Sequence, residues 1–109
     1  MKDWTKKELL QEINENKRSV VYFYTPMCGT CQVAKRMMDV TKELFPHLPF
    51  GMLDVNYIQD LAMTWEIESV PCLMIFENGE IKEKIYAFRS VEYLYGLIKQ
   101  YDGKSVNLN

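Results

Sequence analysis

The sequence predicts an α/β domain, and three observations carry that prediction. Two continuously apolar runs, Val20-Val21-Tyr22-Phe23-Tyr24 and Cys72-Leu73-Met74-Ile75-Phe76, read as buried strands. Between them lies a stretch with apolar residues at three- and four-residue intervals, the period of an amphipathic helix. The elements follow one another with short punctuation, with no repeat or low-complexity linker, so residues 1–109 are expected to form one domain.

The elements can be justified in order. Thr5-Lys6-Lys7-Glu8 has the form of a capping box, and Leu9, Leu10 and Ile13 add an apolar stripe, so a first helix is expected over residues 5 to 16. A strand over residues 19 to 25 follows, and Thr25-Pro26-Met27 turns the chain into a helix from Gly29. The stripe of that helix is Ala34, Met37, Met38, Thr41, Leu44 and Phe45, and Pro46 stops it because proline has no N–H to donate. Phe50, Met52, Leu53 and Val55 mark a second strand, and Ile58, Leu61, Ala62 and Trp65 a short third helix.

After the second apolar run, Asn78-Gly79 suits a two-residue hairpin, since both residues reach positive φ. The strand carrying Ile81, Ile85 and Ala87 should therefore pair antiparallel with residues 72 to 76. Its Lys82, Glu83 and Lys84 fit a solvated edge, where charge discourages pairing with other chains. Ser90 caps a final helix with Val91, Leu94, Ile98 and Tyr101 inward, and Asp102 to Asn109 is expected to be a polar, frayed tail.

Composition narrows the function. A chain of 109 residues can bury roughly 65% of its unfolded surface without relying on disulfides. The formal charge of −2 offers no excess of positive charge for a phosphate backbone, which argues against nucleic-acid binding. No run of about 18 apolar residues suggests a membrane span. The charged start, Met1 to Glu8, has no apolar signal core, and three cysteines are an odd number for a secreted disulfide scaffold, so a cytoplasmic setting is expected.

Cys28-Gly29-Thr30-Cys31 stands where the first strand gives way to the long helix. Unsatisfied N–H groups and the positive end of the helix dipole favour a thiolate there, and the thiolate is the nucleophile in thiol-disulfide exchange. Cys31, three residues on, shares a helix face with Cys28, so Cys28 is the expected attacker and Cys31 the resolver. Gly29 leaves no side chain to obstruct an incoming disulfide. The same spacing also serves as half of a zinc site, but at a strand-to-helix junction the redox reading is the more specific.

Other residues have plainer readings beside the sharp ones. Cys72 would accept a mixed disulfide if its thiol faced a substrate groove, but within an apolar run it reads first as a small core residue. His47 reads as a loop histidine, and a zinc site of Cys28, Cys31, Cys72 and His47 would have only one close ligand pair. Met37, Met38, Met52, Met63 and Met74 read as core filling rather than a metal-binding set. The aromatic residues Tyr86, Phe88, Tyr93, Tyr95 and Tyr101 read as strand and helix packing.

The Cys28-Gly29-Thr30-Cys31 unit, together with Ser69-Val70-Pro71-Cys72-Leu73-Met74-Ile75-Phe76-Glu77-Asn78-Gly79-Glu80, resembles the thioredoxin family over residues 5 to 101. The resemblance implies a thioredoxin-like fold: a central mixed sheet of about four strands with helices on both faces. The four residues before Thr5 leave little room for the additional N-terminal strand common in that family. It further implies that Pro71 is a cis-proline beside the pair and that the Val70 backbone pairs with an extended substrate. Met27, Gly29, Thr30, Val70, Pro71 and Ala87 are then the expected substrate-contacting set around Cys28 and Cys31. Glutaredoxins share the fold, but Glu77-Asn78-Gly79-Glu80-Ile81 looks like the thioredoxin hairpin, which favours protein disulfides over glutathione.

The chain departs from the family pattern at the site. Tyr22 stands where thioredoxins carry a buried aspartate, and a phenol with an ordinary pKa of about 10 is a poor base at neutral pH. Met27 replaces the usual tryptophan, Thr30 the usual proline, and Ala87 a glycine near the groove, where its methyl would narrow access. The resemblance implies an oxidoreductase that reduces client disulfides, binds no cofactor of its own, and is recycled by an NADPH-dependent flavoprotein thioredoxin reductase. A monomer with no nucleic-acid or membrane partner is expected. The rival reading is a thioredoxin-like binding module whose cysteines are structural or ligate a metal or iron–sulfur cluster. A third is an oxidase or isomerase biased toward making disulfides.

Overall fold

In the computed structural model, which describes residues 1–102, the chain runs β1 (Lys2–Asp3), α1 (Lys6–Glu15), β2 (Arg18–Tyr24), α2 (Gly29–Lys42), β3 (Phe50–Asp54), α3 (Gln59–Thr64), β4 (Cys72–Glu77), β5 (Glu80–Ile85) and α4 (Val91–Lys99). The sheet order is β1-β3-β2-β4-β5. β1 and β2 flank β3 in parallel, while β4 runs antiparallel to both β2 and β5. The two apolar runs therefore occupy central positions, and the charged strand lies at an edge. From residue 103 onward the expected polar tail lies outside the described residues.

Side-chain alternation along the central strands divides the core between the two sheet faces. Val20, Tyr22, Leu73 and Ile75 pack with Ala34 and Met38 of α2 and Leu94 and Ile98 of α4. Val21, Phe23, Cys72, Met74 and Phe76 pack on the other face with Leu9 and Ile13 of α1. Each large side chain fully buried in this way contributes about 1.5–3 kcal/mol, whereas an exposed ion pair contributes about 0–1, so the two apolar layers dominate the stability of the fold. Helices accordingly cover both faces.

The local signals act as their chemistry requires. Thr5 Oγ1 accepts the Glu8 N–H at 3.1 Å, and Glu8 Oε1 accepts the Thr5 N–H at 2.9 Å, completing the capping box of α1. Ser90 Oγ accepts the Tyr93 N–H at 3.0 Å and caps α4. Asn78 and Gly79 have φ of 54° and 81°, the double left-handed geometry of a tight hairpin between β4 and β5.

Four details correct the sequence expectations. The sheet has five strands rather than four, because the short segment before Thr5 does pair: Lys2 and Asp3 register with Gly51 and Met52, and the Trp4 N–H donates to the Met52 carbonyl at 2.9 Å. The Trp4 indole lies over Gly51, where a side chain would occupy the ring's place. Val55 leaves the strand for a 3-10 turn, Val55–Tyr57, capped by the Asp54 carboxylate at 2.9 Å from the Asn56 N–H. Helix α2 ends at Lys42, leaving Leu44 49% exposed in the turn before Pro46. Met63 is 81% exposed rather than core, since the short α3 turns Leu61 rather than Met63 toward the core.

Candidate active site

Strand β2 ends at Tyr24, and the turn through Pro26 and Met27 brings Cys28 to the start of α2. Cys28 keeps an extended backbone, φ −122° and ψ 110°, as the N-cap of the helix. In that role its sulfur replaces the usual capping oxygen: the Cys31 N–H donates to Cys28 Sγ at 3.1 Å. The Thr30 hydroxyl lies 3.3 Å from the same sulfur. An N–H, a hydroxyl and the helix dipole thus converge on Cys28 Sγ, an arrangement that favours the thiolate.

Cys28 and Cys31 are joined as a disulfide, with Cα atoms 5.2 Å apart. The two differ in access. Cys28 is half-buried beside Met27, which is 97% exposed, whereas Cys31 is only 3% exposed. An incoming sulfur can therefore reach Cys28, while Cys31 is screened by protein.

Tyr22 points from β2 toward α2 because its alternation parity places it on that face of the sheet. Its hydroxyl donates to the backbone carbonyl of Cys31. The ring stacks on Tyr24 at 5.9 Å and meets Phe88 edge-on at 5.8 Å. Burial, with a smaller contribution from the Asp39 charge, pushes the phenol pKa up to about 12. Tyr22 is thus a neutral hydrogen-bond donor at any ordinary pH and has no capacity to act as a base there. A cavity of about 120 Å³ lined by Tyr22, Cys31, Gln32 and Lys35 has room for water beside the pair.

The Val70–Pro71 bond is cis, and Pro71 immediately precedes β4, whose Cys72 registers with Phe23 near the end of β2. Pro71 and the cysteine turn therefore share one end of the sheet. The loop before Pro71 is tied to β5 and the segment after it. The Tyr86 hydroxyl accepts the Glu68 N–H at 3.2 Å, and Lys84 donates to the Trp65 and Glu66 carbonyls at 3.0 and 3.1 Å. Thr30 of α2 and Pro71 together border an open cavity of about 380 Å³ whose walls include Val33, Met37, Phe88 and Arg89. Tyr86 and Phe88 line it, while Ala87 between them is exposed.

The expected set is thus brought together in part. Thr30 and Pro71 border one groove, Met27 and Gly29 are exposed beside Cys28, and Val70 sits one residue before Pro71. Missing from the sequence reading were Val33, Met37 and Arg89. The first two were legible as the i+3 and i+7 neighbours of Thr30 on α2, a spacing that shares a helix face. Arg89 had no local signal. A larger cavity of about 430 Å³, bordered by Trp4, Tyr24, Asp54 and Tyr57, contains no thiol.

Cys72 is fully buried on the face opposite Tyr22, packed with Val21 and Phe23, and burial pushes its thiol pKa up to about 12. It does not face the groove. His47 Nε2 lies 2.6 Å from Asp102 Oδ1 in the turn after α2. Among the described residues, no group of three or more His, Cys, Asp or Glu side chains is gathered as a metal site. No described helix is long and apolar enough to cross a membrane.

Comparisons with known proteins agree with this geometry. The Thioredoxin family profile matches residues 1–100. The chain is 47% identical over 89 residues to the thioredoxin-like protein YusE of Bacillus subtilis (strain 168), covering 82% of this chain and 84% of that one. It is 33% identical over 81 residues to Thioredoxin-1 of Saccharomyces cerevisiae, covering 74% and 79%. Among solved structures, a mutant thioredoxin of Halobacterium salinarum superposes with a TM-score of 0.82 at 25% identity, covering 94% and 89%.

Proposed function

The chain belongs to the thioredoxin family and is a thiol-disulfide oxidoreductase; on that premise we propose that Cys28 attacks client disulfides and Cys31 resolves them. The observation that carries this assignment of roles is the N-cap geometry. The Cys31 N–H at 3.1 Å and the Thr30 hydroxyl at 3.3 Å both serve Cys28 Sγ, and the buried sulfur of Cys31 waits behind it.

The Cys28 thiolate attacks one sulfur of a client disulfide, forming a Cys28–client bond and releasing the other client sulfur as a thiolate that takes a proton from solvent. Cys31 then loses its proton and attacks Cys28 Sγ. The mixed disulfide breaks, the second client thiol leaves, and two electrons have passed from the dithiol to the client. Tyr22 holds the Cys31 carbonyl but does not accept the proton, so water in the adjoining cavity is the proposed acceptor. Met27, Gly29, Thr30, Val70, Pro71 and Ala87 form the proposed contact surface for the client, with the Val70 backbone offered to an extended segment.

The cellular direction proposed is reduction, with a thioredoxin reductase restoring the dithiol. A cytoplasmic setting is supported by the buried free thiol of Cys72 and the odd cysteine count. A monomer of one domain over residues 1–109 is supported by the charged edge strand β5, with Lys82, Glu83 and Lys84. The test is reduction of insulin disulfides by the wild type, Cys28→Ser and Cys31→Ser. Loss of turnover in both, with a trapped mixed disulfide only in Cys31→Ser, is expected; equal rates for wild type and Cys28→Ser would overturn the assignment. Equilibration against a glutathione buffer fixes the direction.

A further inference from the structure

We propose that the groove beside the cysteine pair selects client segments that carry a carboxylate, received by Arg89; the proposal rests on the oxidoreductase reading above. The groove of about 380 Å³ is bordered by Thr30, two residues from Cys28, and by Pro71, so a client joined to Cys28 lies next to it. Its walls are otherwise apolar or uncharged, with Val33, Ala34, Met37 and Phe88 accepting apolar contacts. Among the described residues, Arg89 is the one charged residue in its lining.

Two further observations indicate that this cation is held ready. Arg89 has φ of 60°, a left-handed conformation that Cβ sterics disfavour in any residue but glycine. Such backbone persists where the surroundings impose it, and here it lies between Phe88, buried in the core, and Ser90, the N-cap of α4. Its guanidinium carbon then sits 5.0 Å from the Tyr93 ring centroid, a cation–π contact that orients the head group without neutralising it. Arg89 forms no ion pair among the described residues, although Glu92 stands three residues away in the first turn of α4. The N-terminus of α4 also adds its positive dipole end beside the guanidinium.

An unpaired, oriented cation at the rim of an apolar groove complements a segment with an apolar side chain and a carboxylate. A lysine or arginine at the same place would meet like charge. The interaction is partly exposed and ionic, so it should discriminate modestly and weaken with salt.

The test uses short disulfide-linked peptides with Glu, Gln or Lys placed at successive positions on either side of the cysteine. Their second-order rates with pre-reduced wild type, Arg89→Gln, Arg89→Glu and Arg89→Lys are compared at low and high salt. At one position or more, wild type should react about fivefold faster with Glu than with Gln, and more slowly still with Lys. Arg89→Gln should erase that order, Arg89→Glu reverse it and Arg89→Lys keep part of it. Wild-type rates that are equal for Glu and Lys at every position, or a preference that survives in Arg89→Gln, would overturn the proposal. A wild-type rate with the Gln peptide no higher than that of Cys28→Ser would instead overturn the redox reading, and this proposal with it.

Discussion

Tyr22→Phe separates structure from chemistry at Cys31, the proposed resolving cysteine. The substitution deletes one hydroxyl and keeps the ring, with its stack on Tyr24 at 5.9 Å and its edge contact with Phe88 at 5.8 Å. What is lost is the hydrogen bond to the Cys31 carbonyl, in a residue 1% exposed. A buried neutral hydrogen bond is worth about 0.5–1.5 kcal/mol net. The Cys31 carbonyl still faces the N–H one turn along α2, so its loss is cushioned and the expected cost is about 1 kcal/mol. For a domain of this size that lowers Tm by about 4 °C. The phenol stays protonated until about pH 12, so insulin reduction between pH 6 and 9 should keep its rate within about twofold and its pH profile unshifted. A general base removed from the resolving step would instead cost about 10²–10⁴-fold. Measured Tm and a pH–rate profile decide: a rate loss of that size, or a vanished inflection, would show that Tyr22 moves the proton after all.

Four further outcomes follow from the structure. Thr30→Val removes the hydroxyl 3.3 Å from Cys28 Sγ, and the reduced protein should alkylate at Cys28 about threefold more slowly at neutral pH, as read by iodoacetamide kinetics. Cys72 should resist alkylation in the native reduced protein and react only after denaturant is added, as read by mass spectrometry of timed samples; native labelling at the rate of Cys28 would contradict its burial. The raised pKa values of Cys72 and Tyr22, each about 12, mean that the folded state holds protons the unfolded chain releases first. Their stabilisation is complete below the ordinary values of 9.0 and 10.0 and is lost as pH rises toward 12, so urea midpoints should fall across that window. Gly51→Ala would drive a methyl into the Trp4 indole and cost about 1–3 kcal/mol, whereas Gly96→Ala, in open space on α4, should stabilise by about 0.5–1 kcal/mol. Parallel urea titrations of the two variants check that contrast.

The elements were legible because their signals are local. The capping box at Thr5, the hairpin at Asn78-Gly79 and the continuously apolar runs of β2 and β4 each state their conformation within a few residues. The thiol chemistry was equally legible, since Cys28 and Cys31 need only a helix start between them. Strand β1 was not. Two exposed residues have no periodicity, and their pairing depends on Gly51 leaving a flat seat for Trp4. Met63 misled for a similar reason, because an apolar residue on a six-residue helix carries too few neighbours to reveal which face is buried.

By itself the sequence determined an α/β chain with a reactive pair at a helix N-terminus, because hydrophobic period, capping and thiol spacing are short-range. Only the tertiary structure decided what surrounds that pair. The parity of β2 and β4 sends Tyr22 to the Cys31 carbonyl and Cys72 into the opposite layer, and the approach of residues 86–89 to α2 sets Arg89 on the groove. Those relations join residues tens of positions apart, and the packing of two faces across one sheet is what brings them into contact.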